Sequence, residues 1–224
     1  MKRIATLLLA FGILATVQAV TVAQLTDEMK RDGWVSIFDG KTLEGWKANE
    51  TYAGFKVENG AIVGFGNKNH LYYMEELKNF ELKLDIMTNK GCNSGVYVKS
   101  QWQDANWPTT GFELQVNCSQ SDPVKTGSLY DIIKLYKAPH EDDEWFTMHI
   151  ICKGNTLECR VNDKVLYTYV DPMEGAAGRQ PQGGQTPAIT PRNKKISQTG
   201  YIALQQHDPG GTPQFKNIFI KKLP

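Results

Sequence analysis

A histidine, a glutamate and several carboxamides recur at strand-like spacing in this chain. Together they hold the groups that proton transfer on a polyol needs. His207 closes "YIALQQH" (201–207), Glu113 and Gln115 lie two apart in "GFELQV" (111–116), and Tyr97 and Lys99 lie two apart in "SGVYVKS" (94–100). An imidazole with a reference pKa of about 6.5 exchanges protons near neutral pH. A carboxylate serves as base, acid or ligand to a divalent cation. Carboxamides pair a donor with an acceptor and so match hydroxyl groups, while a phenol and an ammonium add further donors.

These groups converge only if their segments are strands. Period-two alternation runs through 80–87, 94–99, 111–116, 145–153, 156–161, 164–170, 201–207 and 214–223. Because side chains alternate across a strand, Phe112, Leu114 and Val116 oppose Glu113 and Gln115. By the same rule Val96 and Val98 oppose Tyr97 and Lys99, and Ile202 and Leu204 oppose Ala203, Gln205 and His207. Gln206 and Asp208 fall on the other parity and are expected to shape the turn that follows, not to do chemistry. The alternative for each strand is a solvated outer face on a half-buried sheet. Amides and imidazole where such a face usually gathers Lys, Glu and Thr favour a site.

Gly154-Asn155 and Asn162-Asp163 stand where two-residue hairpin turns belong. Centring the first turn there sets Cys152 opposite Leu157 and Cys159 opposite Ile150, so these two cysteines share a face diagonally and are expected as buried free thiols. Helical signal is thin: a short helix is expected within 23–33 and a turn at 74–79. Many short strands separated by turn signals predict an all-β sandwich or barrel. Residues 171–200, rich in Pro, Gly and Gln, have no period and read either as a lid bordering the site or as a plain insertion. Trp34, Trp46 and Trp145 are assigned to the core. Trp102 and Trp107 in "QWQDANWP" (101–108) either stack on a sugar ring or cover a core edge.

The chain opens "MKRIATLLLAFGILATVQAVT", with Lys2 and Arg3 before an apolar run and a small-residue end. This is the pattern of a cleaved secretory leader, with cleavage expected after Ala19 and residues 20–224 forming a single exported domain. The whole chain carries 25 Lys and Arg against 24 Asp and Glu. A balance this close to neutral gives no electrostatic reason for a nucleic acid partner or, once the leader is gone, for membrane association. The four cysteines and four histidines show no zinc spacing. No Gly-x-Ser-x-Gly elbow and no phosphate-binding glycine loop occurs.

The segments "GWVSIFDGKTLEGWK" (33–47), "NSGVYVK" (93–99), "GFELQV" (111–116), "GSLYDI" (127–132), 144–166 and "GYIALQQH…FKNIFIKKL" (200–223) resemble, in order, the DUF1080 family, described as the 3-keto-disaccharide hydrolase domain. After His207 the turn is longer than the family's usual one, and Lys216 stands where Arg is usual. The resemblance implies a jelly-roll, concanavalin A-like sandwich of two antiparallel sheets and a small carbohydrate substrate oxidised to a ketone at sugar C3. Such a ketone acidifies the C2 hydrogen, so the glycosidic bond can break by elimination, which needs a base, an enolate stabiliser and an acid at the leaving oxygen. His207 is the first candidate for base or acid. Glu113 is the second, as base, acid or ligand to a divalent cation. Lys134 and Asp131 are expected as electrophile and orienting carboxylate, with solvated loop charges as their alternative. Asn93, Gln115 and Gln205 are expected to bond sugar hydroxyls. Two other readings stay open: a conventional two-carboxylate glycosidase, and a lectin-like module that binds glycan without turnover.

Overall fold

A computed structural model describes residues 25–171 and 198–224. The expected leader at 1–19 and most of the 171–200 segment lie outside the described residues. The expected N-terminal helix shrinks to α1 (Asp27–Arg31), started by Thr26, whose Oγ1 accepts from Met29 N at 3.1 Å, and closed ahead of Gly33 at φ 86°. Among the described residues no helix is long and apolar enough to cross a membrane.

The remainder is an all-β jelly-roll sandwich of two antiparallel sheets. Short strands come first: β1 (Trp34–Ser36), β2 (Trp46–Ala48), β3 (Phe55–Glu58), β4 (Ala61–Gly64) and the longer β5 (Asn69–Leu77). The strands read from periodicity follow: β6 (Phe80–Met87), β7 (Asn93–Ser100), β8 (Phe112–Asn117), β9 (Phe146–Lys153), β10 (Thr156–Val161), β11 (Lys164–Val170), β12 (Gly200–Gln206) and β13 (Gln214–Lys222). One sheet runs β11-β10-β9-β6-β13-β4-β3, with β1 also paired to β13; the other runs β2-β5-β12-β7-β8. The expected turn at 74–79 is instead largely the end of β5, which continues through Leu77 before the chain crosses to the other sheet.

Alternation places the core between the sheets. Phe80, Leu82, Leu84 and Ile86 of β6 are fully buried opposite Cys152, Ile150, Met148 and Phe146 of β9. Cys152 pairs with Leu157 and Cys159 with Ile150, as the Gly154-Asn155 turn dictates. Both thiols are free and buried, and burial pushes each up to about 12. Asn162 and Asp163 both take positive φ, 48° and 61°, the requirement of a tight hairpin turn. Trp34 and Trp46 are buried, but Trp145 is 37% exposed beneath the Lys216 ammonium, 3.9 Å from its ring, and does not join the core.

Three strands of the five-stranded sheet depart from the half-buried pattern. Every residue of β7 and β8 is buried, as is every residue of β12 except Tyr201, so both faces of these strands are covered. The free edge of β8 is capped by 126–130, where Gly127 N donates to Gln115 O at 2.9 Å and Tyr130 N to Glu113 O at 2.9 Å.

Candidate functional site

A cleft of about 260 Å³ opens on the outer face of the five-stranded sheet, lined by Asn93, Tyr97, Glu113, Gln115, Gln205 and His207 together with Trp107, Pro108, Asp122 and Tyr130. Its floor is the polar parity of three adjacent strands. Tyr97 stands opposite Glu113 and Gly95 opposite Gln115 in the β7–β8 ladder, and Ala203 faces Tyr97 from β12.

Glu113 is 8% exposed and held by neutral donors. Tyr97 Oη donates to its Oε2 at 2.7 Å, and Gln205 Nε2 donates to its Oε1 at 3.1 Å and to Tyr97 Oη at 3.3 Å. Burial, then the Glu113 charge, raises the Tyr97 phenol well above its ordinary value, so it keeps its proton and stays a donor. Gly95 makes room for this carboxylate: a Cβ there would lie 2.5 Å from Glu113 Oε1. Gln115 Nε2 donates to Asn93 Oδ1 at 2.9 Å, and Ser94 Oγ anchors Gln205 by donating to its carbonyl at 2.7 Å.

His207 sits at the rim, its side chain about one-third exposed, with Nδ1 3.0 Å from Asp208 Oδ2. Asp208 Oδ1 also accepts from Gly210 N at 3.2 Å. It therefore shapes the turn as expected and, contrary to the parity reading, also orients the histidine. β12 ends at Gln206, and past that point the strand period no longer governs direction. Gln206 does stay with the turn, its amide reaching the carbonyls of Gly66, Asp208 and Gly211.

Other expected members lie elsewhere. Lys99 adopts φ 62°, a left-handed conformation that breaks the alternation and turns its side chain into the core. It is 1% exposed, with Nζ donating to Leu77 O at 3.5 Å and lying 5.1 Å from the Phe80 ring. Lys134 is exposed, and neither it nor Asp131 lines the cleft; their segment contributes Tyr130. Trp102 packs 5.1 Å from the Tyr72 ring under the Lys47 ammonium and also stays outside the cleft. Trp107 does line it, 41% exposed, with its ring 4.8 Å from that of His207.

Periodicity missed Asp122, Pro108 and Tyr130, which come from irregular connections. It also missed His70, fully buried on β5, whose ring meets Tyr97 at 5.4 Å and Trp107 at 5.5 Å edge-on. Burial first, then the neighbouring Lys68 and His207 charges, pushes His70 down to about 3. The signal available for it was position: once "NHLYY" is a strand, His70 pairs with Gln205 in register. Among the described residues no group of three His, Cys, Asp or Glu is placed to hold a metal ion.

The arrangement thus offers a desolvated carboxylate fixed by a phenol and an amide, an oriented histidine at the rim, an aromatic wall and spare amides. This is the equipment for moving protons on a polyhydroxylated ligand. The chain is 25% identical to a 3-keto-disaccharide hydrolase of Bacteroides thetaiotaomicron, over 93% of this chain and 84% of that protein. Its fold matches the crystal structure of a candidate glycosyl hydrolase from Parabacteroides distasonis with a TM-score of 0.74 at 25% identity, covering 91% of this chain and all of that one. A carbohydrate-binding module of Bacillus subtilis shares the fold alone, with a TM-score of 0.54 at 14% identity, covering 80% of this chain and 96% of that one. Residues 33–221, spanning both sheets and the cleft, match the family of 3-keto-alpha-glucoside-1,2-lyase-like domains, and the chain belongs to that family.

Proposed function

We propose that this protein cleaves glycosides already oxidised to a ketone at sugar C3. A base takes the C2 proton, the electron pair forms the enolate, and collapse of the enolate expels the C1 oxygen with its aglycone. Water then adds at C1 of the new C1=C2 bond while C2 regains a proton, giving net hydrolysis. The family membership and the name of the Bacteroides relative support the substrate class. The observation that carries the mechanism is the joint presence of the His207–Asp208 pair and the buried Glu113 in one cleft.

In the neutral tautomer whose Nδ1–H donates to Asp208, the His207 Nε2 lone pair is the one available to a general base. Glu113 is the second proton carrier, and the Tyr97 and Gln205 donors that hold it are suited to a site where negative charge develops. Asn93 and Gln115 offer amides to ring hydroxyls, and Trp107 offers a face for stacking. The leader pattern at 1–19 supports an exported enzyme; N-terminal sequencing of protein recovered from outside the cytoplasm should start at Val20.

Incubation with methyl 3-keto-glucoside and with its unoxidised parent tests the reading. Cleavage of the ketone alone is expected, with deuterium entering C2 in heavy water; equal cleavage of both, or of neither, refutes it. One observation favours a second reading, a conventional two-carboxylate glycosidase: Asp122 lines the same cleft as Glu113, one of its carboxylate oxygens accepting from Val124 N at 2.8 Å. On that reading the unoxidised parent is cleaved and Asp122→Asn abolishes the cleavage.

A further inference from the structure

Behind the cleft wall lies a row of buried polar atoms with no hydrogen-bond partner: both ring nitrogens of His70, Gln205 Oε1 and Tyr72 Oη. Such atoms are rare in folded proteins, because each forfeits its hydration without replacement. Here they are contiguous. His70 and Gln205 are partners across the β5–β12 ladder, so their side chains stand side by side on one face, and Tyr72 lies two residues along β5 on that same face. Gln205 belongs to both groups: its amide nitrogen holds Glu113, while its buried oxygen is one of the unpartnered atoms.

The row is separated from the cleft by one aromatic layer. His70 packs edge-on against Tyr97 and Trp107, both of which line the cleft, and Trp107 is the exposed one of the two. The connection carrying Trp107 is pinned just before the ring. Asn106 O accepts from Asn49 Nδ2 at 2.9 Å, Asn106 N donates to Glu50 Oε1 at 3.0 Å, and Asn106 Oδ1 accepts from Lys68 Nζ at 3.2 Å. The loop base is fixed while the indole itself is partly free in solvent, so a rotamer change at Trp107 uncovers His70 without unfolding the loop.

We infer that His70, Gln205 and Tyr72 form a second sugar-ring subsite, covered in the free protein by Trp107 over His70 and Trp102 over Tyr72, and filled by the leaving-group ring of a disaccharide. The ligand chemistry follows from the donor set. A neutral imidazole presents one donor and one acceptor, the amide oxygen an acceptor and the phenol either, with no formal charge among them, which suits the hydroxyls of an uncharged hexose. Continuity through Gln205 sets this ring next to the one acted on at Glu113. The inference rests on the glycoside reading of the cleft and adds to it the place of the second ring.

Kinetics with His70→Phe on a 3-keto disaccharide and on methyl 3-keto-glucoside tests it, with ¹⁵N-histidine spectra of the unsubstituted protein as the second arm. The expected result is a loss of about tenfold or more in kcat/KM for the disaccharide, the effect of one or two hydrogen bonds, with the methyl glycoside within about twofold. The variant's Tm should equal or exceed that of the parent, since an unbonded imidazole is removed. Cellobiose, but not methyl glucoside, should shift the His70 ring nitrogens. Equal loss on both substrates, or unmoved His70 resonances with both sugars, overturns the subsite. If the parent protein turns over neither ketone, the proposed reaction fails on its own and the spectra still decide the subsite.

Discussion

Strands β6 and β8 carry the same period-two pattern, yet their polar parities meet opposite circumstances. Glu81, Lys83 and Asp85 of β6 stand partly exposed on the outer face of the eight-stranded sheet, and their partners come from the flanking strands: Glu81 meets His149 of β9 at 2.8 Å, and Asp85 accepts from Thr147 of β9 and Asn217 of β13 at 2.6 Å. Glu113, Gln115 and Asn117 of β8 are buried, and the connections carrying Trp107, Asp122 and Tyr130 wall the cleft over Glu113 and Gln115. Alternation therefore assigns a face, and long-range connections decide whether that face is wet. A carboxylate taken out of water must be fully satisfied or costs several kcal/mol, and Tyr97 and Gln205 supply what Glu113 needs.

Exchanging each glutamate for its amide is the sharpest way to break this comparison. Glu113→Gln should lower kcat on a 3-keto glycoside about 100- to 10,000-fold, the range for a lost acid or base. Glu81→Gln, at a residue that does not line the cleft, should leave kcat within about twofold. Similar losses from both would mean that burial does not mark the site.

Acid stability probes the buried face at His70. Its folded pKa, pushed down by burial to about 3, lies below the unfolded value of about 6.5. The unfolded chain therefore binds the extra proton first. This contribution is intact above about pH 6.5 and is lost as pH falls toward 3, at up to about 1.4 kcal/mol per pH unit. Between pH 7 and 4.5 the urea midpoint of the parent protein should fall further than that of His70→Phe. Parallel declines would show that His70 ionises freely in the folded state.

The smallest expected effect belongs to Lys99, read from the sequence as a site cation and found in the core. Burial lowers its pKa, and replacing a buried charge by an apolar chain of similar size is often neutral or stabilising. Lys99→Met should keep activity within about twofold and hold or raise stability by about 1 kcal/mol, read from kcat and a denaturant midpoint. A large loss of activity would return Lys99 to the site.

Much of the strand framework was legible because its strands are long enough to show a period and their turns carry Gly, Asn and Asp. The Cys152–Leu157 register followed from one dipeptide. Strands β1 to β4, three or four residues each, are too short to display alternation. β5 begins buried on both faces and so hides its period. Of the site, the grouping of Tyr97, Glu113, Gln115 and Gln205 follows from parity on adjacent strands. Tyr130, Asp122 and the Asp208 contact do not, because irregular backbone obeys no period.

By itself the sequence determined the all-β class, the principal strands and the polar parity that floors the cleft, since these depend on neighbours one or two residues apart. Tertiary structure alone decided which polar face is buried, that a left-handed residue sends Lys99 into the core, and that His70 stands beside Gln205. Those outcomes depend on strand order, loop placement and local backbone conformation, which bring together residues far apart in the chain, as His70 and Gln205 are.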